Sequence, residues 1–139
     1  MPRSLADFIG HWQINRDIHD HRTDQISQFQ GTAQITAQGA YTETGQLILP
    51  TGQAIVASRA YHWQDVAGGI AISFDDGRPF HAMWQDAPHD HHWCDPDTYD
   101  VIYNFDDFPY WTAQWHVKGP RKDYVMISCY RKQGAGALN

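Results

Sequence analysis

The sequence has little of what marks several large classes of protein. Its 139 residues contain ten Lys and Arg against sixteen Asp and Glu. No basic stripe is present to neutralise a row of phosphates, so we expect no nucleic-acid partner. No long apolar run is present either, and the mean hydropathy is -0.59, so we expect no membrane partner.

The chain also lacks signs of export. The first ten residues, MPRSLADFIG, have no long apolar core and no small-residue cleavage site, so they do not resemble a secretory signal. Cys94 and Cys129 could pair in principle, but without such a signal we expect reduced thiols and a cytoplasmic location.

The residues that are present suit one globular domain over residues 1–139. Apolar residues make up 42% of the chain and aromatic residues 14%, whereas charged residues make up 19%. A chain of this length supports a single core, so we expect no second domain.

Glycine and proline recur at short intervals and separate stretches of alternating apolar and polar residues. Alternation with period two predicts strands, and this punctuation is typical of an all-β domain. Before the first strand, the capping pattern of Ser4 and Asp7 predicts a short helix over residues 4–9, ended by Gly10. We predict nine strands, over residues 11–19, 26–37, 41–49, 53–64, 69–75, 78–86, 97–105, 110–118 and 122–131.

Sequential strands joined by short loops form an antiparallel meander. Closing the meander into an up-and-down β-barrel removes both edges, so we predict a barrel, with a β-sandwich as the alternative. At eight to ten strands, the interior of a barrel is filled by side chains or holds one small ligand.

The turns predict which residues lie opposite one another. A two-residue turn at Asp76-Gly77 predicts that Phe74 lies opposite Pro79 and that Ile72 lies opposite His81. His81 then shares a face with Ile72.

Two further loops, at residues 38–40 and 50–52, extend this derivation to the central strands. As three-residue loops, they predict that Ile35 lies opposite Glu43 and that Glu43 lies opposite Arg59. The same ladders pair Ala33 with Gly45, Leu47 with Ile55 and Tyr41 with Tyr61.

Gly10-His11-Trp12 opens the first strand after the short helix and resembles the G-x-W signature of lipocalins and the wider calycin superfamily. The resemblance implies that Trp12 closes one end of a calycin-like barrel and packs against a basic residue of the last strand, either Arg131 or Arg121. The whole chain resembles a family of short, uncharacterised bacterial calycin-like proteins, through Y-x-E-x-G-x-L at 41–47, R-x-Y-x-W at 59–63, G-R-P-F-H at 77–81, H-W-C at 92–94 with Asp97 and Tyr99, and Gly119-Pro120 before Lys122-Asp123-Tyr124.

The predicted interior is too polar for an ordinary core. If Trp12 faces inward, Arg16 does as well, and buried ions must be paired, hydrated or bound to a ligand. A closed Arg–Glu network is one interpretation, and a site that orients a small, partly polar, aromatic or carboxylate-bearing ligand is the other. The candidate ligand-binding residues are Arg16, Tyr41, Glu43, Arg59, Tyr61, His81, Tyr99, Tyr103 and Trp115.

Two alternatives to a binding protein stay open. A cofactor-free enzyme acting on a small carboxylic or phenolic acid would use an arginine to hold the carboxylate and Glu43 or His81 as acid or base. A metal- or haem-binding sensor would use His81 or the run from Pro88 to Asp95. The sequence identifies neither a cofactor nor an oligomeric state, and five other histidines are interpreted as exposed: His11, His19, His21, His62 and His116.

The run from Pro88 to Asp95 combines three histidines with carboxylates and Cys94. These groups suit zinc, copper or nickel, but their spacing matches no standard ligand set, so we interpret the run as a polar loop over the barrel mouth. Elemental analysis should find no stoichiometric metal held by this run. One zinc or copper per chain that is lost on substituting His89, His91 and His92 would contradict this.

Overall fold

Ten antiparallel strands form one sheet in the computed structural model, which describes residues 4–133. The predicted all-β barrel architecture is confirmed, with one strand more than expected. The strands are β1 Gly10–Asp20, β2 Gln25–Ile35, β3 Ala40–Ile48, β4 Ala54–Val66, β5 Gly69–Phe74, β6 Pro79–Trp84, β7 His89–Cys94, β8 Asp97–Asn104, β9 Trp111–Lys118 and β10 Asp123–Gln133.

The sheet closes because the first and last strands meet. β1 pairs with β2 on one side and with β10 on the other, so the two free edges are the consecutive strands β6 and β7. At this seam the Asp90 carboxylate accepts a hydrogen bond from the Ala82 backbone N–H, at 2.8 Å. The result is a nearly closed barrel in which a side chain replaces part of the missing ladder.

The predicted N-terminal helix is only a single 3-10 turn, Leu5–Phe8. Ser4 and Asp7 do interact, since the Asp7 carboxylate accepts from the Ser4 backbone N–H at 3.1 Å, but four residues close only one turn. Within residues 4–133 no helix is long and apolar enough to cross a membrane.

Residues 88–95, which the sequence predicts to be a polar loop, are largely a strand, β7. It pairs with β8 in regular register, His92 opposite Tyr99 and Trp93 opposite Thr98. Its side chains do not alternate between apolar and polar, so the period-two pattern could not detect it. Pairing with a neighbouring strand, rather than local sequence, determines its conformation.

The predicted register of β3 and β4 is confirmed: Glu43 lies opposite Arg59, Tyr41 opposite Tyr61 and Leu47 opposite Ile55. The loop between them contains Gly52 at φ 90°, the left-handed conformation that favours glycine.

The two register predictions for β2 and β3 are wrong. Ile35 lies opposite Tyr41 and Ala33 lies opposite Glu43, because the β2–β3 loop is residues 37–39, closed by a hydrogen bond from Thr36 N–H to the Ala40 carbonyl. This shift of two residues keeps every side chain on its predicted face.

Between β5 and β6, Ile72 does lie opposite His81, but Ser73 rather than Phe74 lies opposite Pro79. The loop there has three residues, 75–77, because the Phe74 N–H donates to the Arg78 carbonyl at 2.8 Å. A bulge between Ile72 and Ser73 absorbs the extra residue.

Aromatic packing closes one end of the barrel. Phe8 is 1% exposed and contacts Trp63 and Trp111 edge to face, with ring centroids 5.3 Å and 5.4 Å away. The Trp12 indole N–H donates to the Phe8 carbonyl at 2.8 Å. The cation over Trp12 is Lys132, 4.7 Å from the ring, rather than Arg131 or Arg121. Arg131 instead lies over Tyr110.

Two facing glycines, Gly31 and Gly45, let β2 and β3 approach closely. A Cβ on Gly45 would lie 2.2 Å from the Gln30 carbonyl oxygen and 2.6 Å from the Gly31 Cα. Backbone atoms cannot move aside as the end of a flexible side chain can.

Gly45→Ala should therefore lower the free energy of unfolding by about 1–3 kcal/mol, the usual effect of overpacking. Urea denaturation monitored by tryptophan fluorescence measures it. Gln46→Ala, at the neighbouring exposed position, should change stability by less than about 0.5 kcal/mol. Equal free energies of unfolding for the two variants would contradict this prediction, because they would show that β2 and β3 can move apart without a loss of stability.

Candidate ligand-binding site

A buried ion pair joins β1 to β3 inside the barrel. The Arg16 guanidinium donates to both carboxylate oxygens of Glu43, at 2.7 Å and 3.0 Å. The two residues are 6% and 3% exposed. This two-pronged geometry is the strongest form of an Arg–carboxylate contact and fixes both side chains.

Hydrogen bonds from Tyr41 on β3 and from one further strand, β10, complete the network. Arg16 Nε donates to Ser128 Oγ at 2.7 Å, and Tyr41 donates to Glu43 Oε1 at 2.6 Å. The Tyr41 and Tyr130 hydroxyls are 2.9 Å apart. Because its polar atoms have partners, this buried network orders the interior rather than destabilising it.

The pair is ionised at neutral pH. Burial alone would raise the pKa of Glu43, but the hydrogen bonds and positive charge of Arg16 outweigh it and hold that pKa below its usual value. Burial likewise disfavours the charged Arg16, and its hydrogen bond to Glu43 nevertheless raises the pKa of the guanidinium. Neither group is free to exchange a proton near neutral pH.

Arg59 is not the ion-pair partner of Glu43, although the two lie opposite each other as predicted. Arg59 Nη2 lies 3.9 Å from Met126 Sδ, and its guanidinium carbon lies 5.7 Å from the Trp115 ring centroid. Within residues 4–133 no carboxylate oxygen lies within 4.0 Å of Arg59. Arg59 is therefore a half-buried cation whose fork of N–H donors has no carboxylate.

His81 is a neutral imidazole. It is 6% exposed, and burial lowers its pKa to about 3. Its Nε2 lies 2.5 Å from the Tyr103 hydroxyl, whose pKa is raised by burial. Its buried Nδ1 has no hydrogen-bond partner among the described residues.

An interior cavity brings together all of the predicted site residues except Tyr99. The volume of this cavity that water molecules can occupy, measured at their centres, is only about 30 Å³. It therefore holds a few waters at most. Tyr99 lies outside this lining and packs against Phe80, 5.2 Å away. A larger ligand therefore needs space beyond the inner cavity.

That space lies at the open end of the barrel. A crevice of about 350 Å³, which we call the mouth crevice, runs from Arg59 to the rim. Arg59 lines both the mouth crevice and the inner cavity. Its other lining residues are Ile18, Asp20, Thr23, Gln25, Ser27, Pro50, Tyr124 and Met126.

Aromatic side chains pack beside Arg59 around Phe80. The ring of Phe80 lies 4.5 Å from Phe74, 5.3 Å from Trp115 and 5.9 Å from Tyr61, centroid to centroid. We call Tyr61, Phe74, Phe80, Tyr99 and Trp115 the aromatic wall.

Sequence reasoning missed Phe80. Strict alternation sends Phe80 and His81 to opposite faces, yet four consecutive residues of β6, 80–83, are buried. Phe80 is itself the extra residue of the bulge, since Ile72 pairs with His81 and Ser73 with Pro79, and this shift of register breaks the alternation. The motif at 77–81 contained Phe80, but only the register irregularity explains why it faces the wall.

The histidine-rich run does not converge. Because it is a strand, its side chains alternate: His89, His91 and Trp93 are exposed, whereas Asp90, His92 and Cys94 are half-buried. Within residues 4–133 the run does not gather three metal-ligating atoms in one place. The absence of a metal there stays a prediction.

Removing the Glu43 carboxylate should leave Arg16 buried without a counter-charge. We expect Glu43→Gln to lower the free energy of unfolding by about 3–5 kcal/mol, and Arg16→Met/Glu43→Leu to recover most of that loss. The pKa of Glu43 is lower in the folded state than its ordinary value of 4.5. The stability that the ion pair contributes is therefore fully present above pH 4.5 and is lost as the pH falls through the folded-state pKa. The double variant should accordingly lose less stability on acidification in urea denaturations. A single variant as stable as the wild type would contradict this.

No curated protein matches the sequence significantly. Among solved structures, the S-type phycobiliprotein lyase CPES from Guillardia theta superposes with a TM-score of 0.59 at 11% identity, covering 94% of this chain and 91% of that one. At this identity the likeness shows a shared fold. Residues 8–132 match the sequence profile of DUF6314, described as a family of unknown function, and the chain belongs to that family.

Proposed function

We propose that this protein binds a small aromatic ligand bearing a carboxylate, at the mouth of the barrel. The carboxylate pairs with Arg59, and the aromatic part lies against the half-exposed rings of Tyr61 and Trp115.

The observation that carries the proposal is the state of Arg59. The nearby carboxylate of Glu43 already receives two N–H donors from Arg16 and one O–H donor from Tyr41. Arg59 keeps its planar fork of donors, which matches a carboxylate in shape and charge. An anion entering from the mouth would be the first carboxylate to reach it.

The surroundings fit such a ligand. The mouth crevice of about 350 Å³ falls in the size range of small-molecule sites, about 300–1,000 Å³. The aromatic wall supplies apolar surface, and Trp115 already holds the Arg59 cation over its face. Apolar walls with a few convergent polar groups are the usual composition of a ligand site.

Binding is favoured over catalysis by the protonation states inside. A general acid or base works best with a pKa near the operating pH, whereas the pKa of His81 is about 3. Glu43 is held ionised by Arg16, so it is poorly suited to transfer protons. The Tyr103 hydroxyl beside His81 Nε2 likewise disfavours a haem or metal ligand role for that nitrogen.

The comparison with solved structures is in keeping with a ligand-binding barrel, since a phycobiliprotein lyase shares this fold. We also propose that the DUF6314 barrel is calycin-like and that the protein acts in the cytoplasm, where Cys94 and Cys129 remain free thiols.

Isothermal titration with 4-hydroxycinnamate, compared with its uncharged methyl ester, tests the proposal. Biliverdin, a linear tetrapyrrole with two carboxylates, is the second probe, read by its absorption band. Arg59→Met should weaken binding about 10- to 100-fold, since a hydrogen bond to a charged group contributes about 1.5–3 kcal/mol. Arg59→Lys keeps the positive charge but loses the planar pair of N–H donors, so its affinity should lie between those of the wild type and Arg59→Met.

Arg131→Met is the matched control, because Arg131 also lies over an aromatic ring, that of Tyr110, 4.9 Å away. It should bind like the wild type. Any one of three results would refute the proposal: no binding of either probe, equally tight binding of the ester and the acid, or full affinity in Arg59→Met.

A further inference from the structure

Three metal-ligating side chains converge on the outside of the barrel rim. His21 lies in the turn after β1, His116 in β9 and Asp123 at the start of β10, and one ligand atom from each lies within 4.8 Å of the others. Their side chains are 43%, 40% and 29% exposed, so an ion can reach them from solvent. From the sequence, both histidines are expected only to be exposed.

The spacing of these atoms is close to that of a formed site. Asp123 Oδ1 lies 3.0 Å from His116 Nε2 and 3.6 Å from His21 Nδ1. Ligands at about 2.0–2.1 Å from a tetrahedral Zn²⁺ are about 3.3–3.4 Å apart. The two distances bracket that value, and the two imidazole donors lie within 4.8 Å of each other, so rotation of the imidazole rings would bring all three atoms to one ion.

The backbone holds the three residues in place. The His21 N–H donates to the Asp123 carbonyl at 2.8 Å, which ties the β1–β2 turn to β10. Asp123 and His116 lie on adjacent strands, with Asp123 opposite Lys118 in the ladder. His19 packs edge to face on His21, 4.8 Å between centroids, and restricts its ring. The donors are therefore positioned before any ion binds.

From this arrangement we propose that His21, His116 and Asp123 form a binding site for a divalent transition metal, Zn²⁺ foremost. Two imidazoles with one carboxylate suit Zn²⁺ over Mg²⁺ or Ca²⁺, which prefer oxygen ligands. Three protein ligands leave a fourth coordination position open to solvent. The site lies on the outer side of the same rim whose inner side forms the mouth crevice, since Asp20 and Tyr124, next to His21 and Asp123 in sequence, line that crevice.

Isothermal titration of the full chain with Zn²⁺, after removal of any affinity tag, should show one site per chain. His116→Ala and Asp123→Asn should each weaken binding at least about tenfold, because even outer partners of metal ligands affect affinity about 10–100-fold. Thermal unfolding should shift upward with Zn²⁺ in the wild type and not in these variants. Ca²⁺ and Mg²⁺ at the same concentration should produce no shift.

His91→Ala is the matched control. His91 and Asp100 form a more exposed His–Asp pair, 2.7 Å apart, and within residues 4–133 no third ligand joins them. Circular dichroism of every variant checks that it is folded. The proposal is overturned if Zn²⁺ does not bind, if folded His116→Ala and Asp123→Asn bind it as tightly as the wild type, or if His91→Ala alone abolishes binding.

Discussion

The structure of the barrel interior depends on an unequal number of charges: two arginines, Arg16 and Arg59, lie next to a single carboxylate, that of Glu43. Arg16 takes both oxygens and is buried with it. Because a buried charge without a partner is costly, this pairing fixes β1 against β3 across the intervening strand. It also determines that Arg59 stays half-exposed at the mouth, where an anion from outside can reach it.

The two ends of the barrel differ because their aromatic residues pack differently. At one end Phe8 fills the opening among Trp63, Trp111 and Trp12, so the end is sealed. At the other end the aromatic wall reaches only as far as Arg59, which lies over Trp115. Beyond Arg59 the mouth crevice is lined by a mixture of polar and apolar residues and stays open. An apolar wall beside an uncompensated cation is a surface suited to an amphipathic ligand.

The position of the seam explains the irregular strands. The continuous sheet runs through the β1–β10 pair, so the unpaired edges fall on β6 and β7, which are neighbours in sequence. Asp90 bridges them with its side chain, and Phe80 and His81, which a regular ladder would send to opposite faces, both pack against Trp115. Both Phe80 and His81 reach the interior for this reason.

The sequence by itself determined the strands with clear alternation, the β3–β4 register, and the inward faces of Arg16 and Glu43. These follow from local rules: side chains alternate along a strand, and a turn fixes its own hairpin. It did not determine that Arg16 rather than Arg59 takes Glu43, because β1 and β3 are not adjacent in the sheet and meet only across the curved interior. The cluster of His21, His116 and Asp123 likewise depends on β1 meeting β10. Only closure of the barrel brings such residues together, since no periodicity or turn relates strands that are distant along the chain.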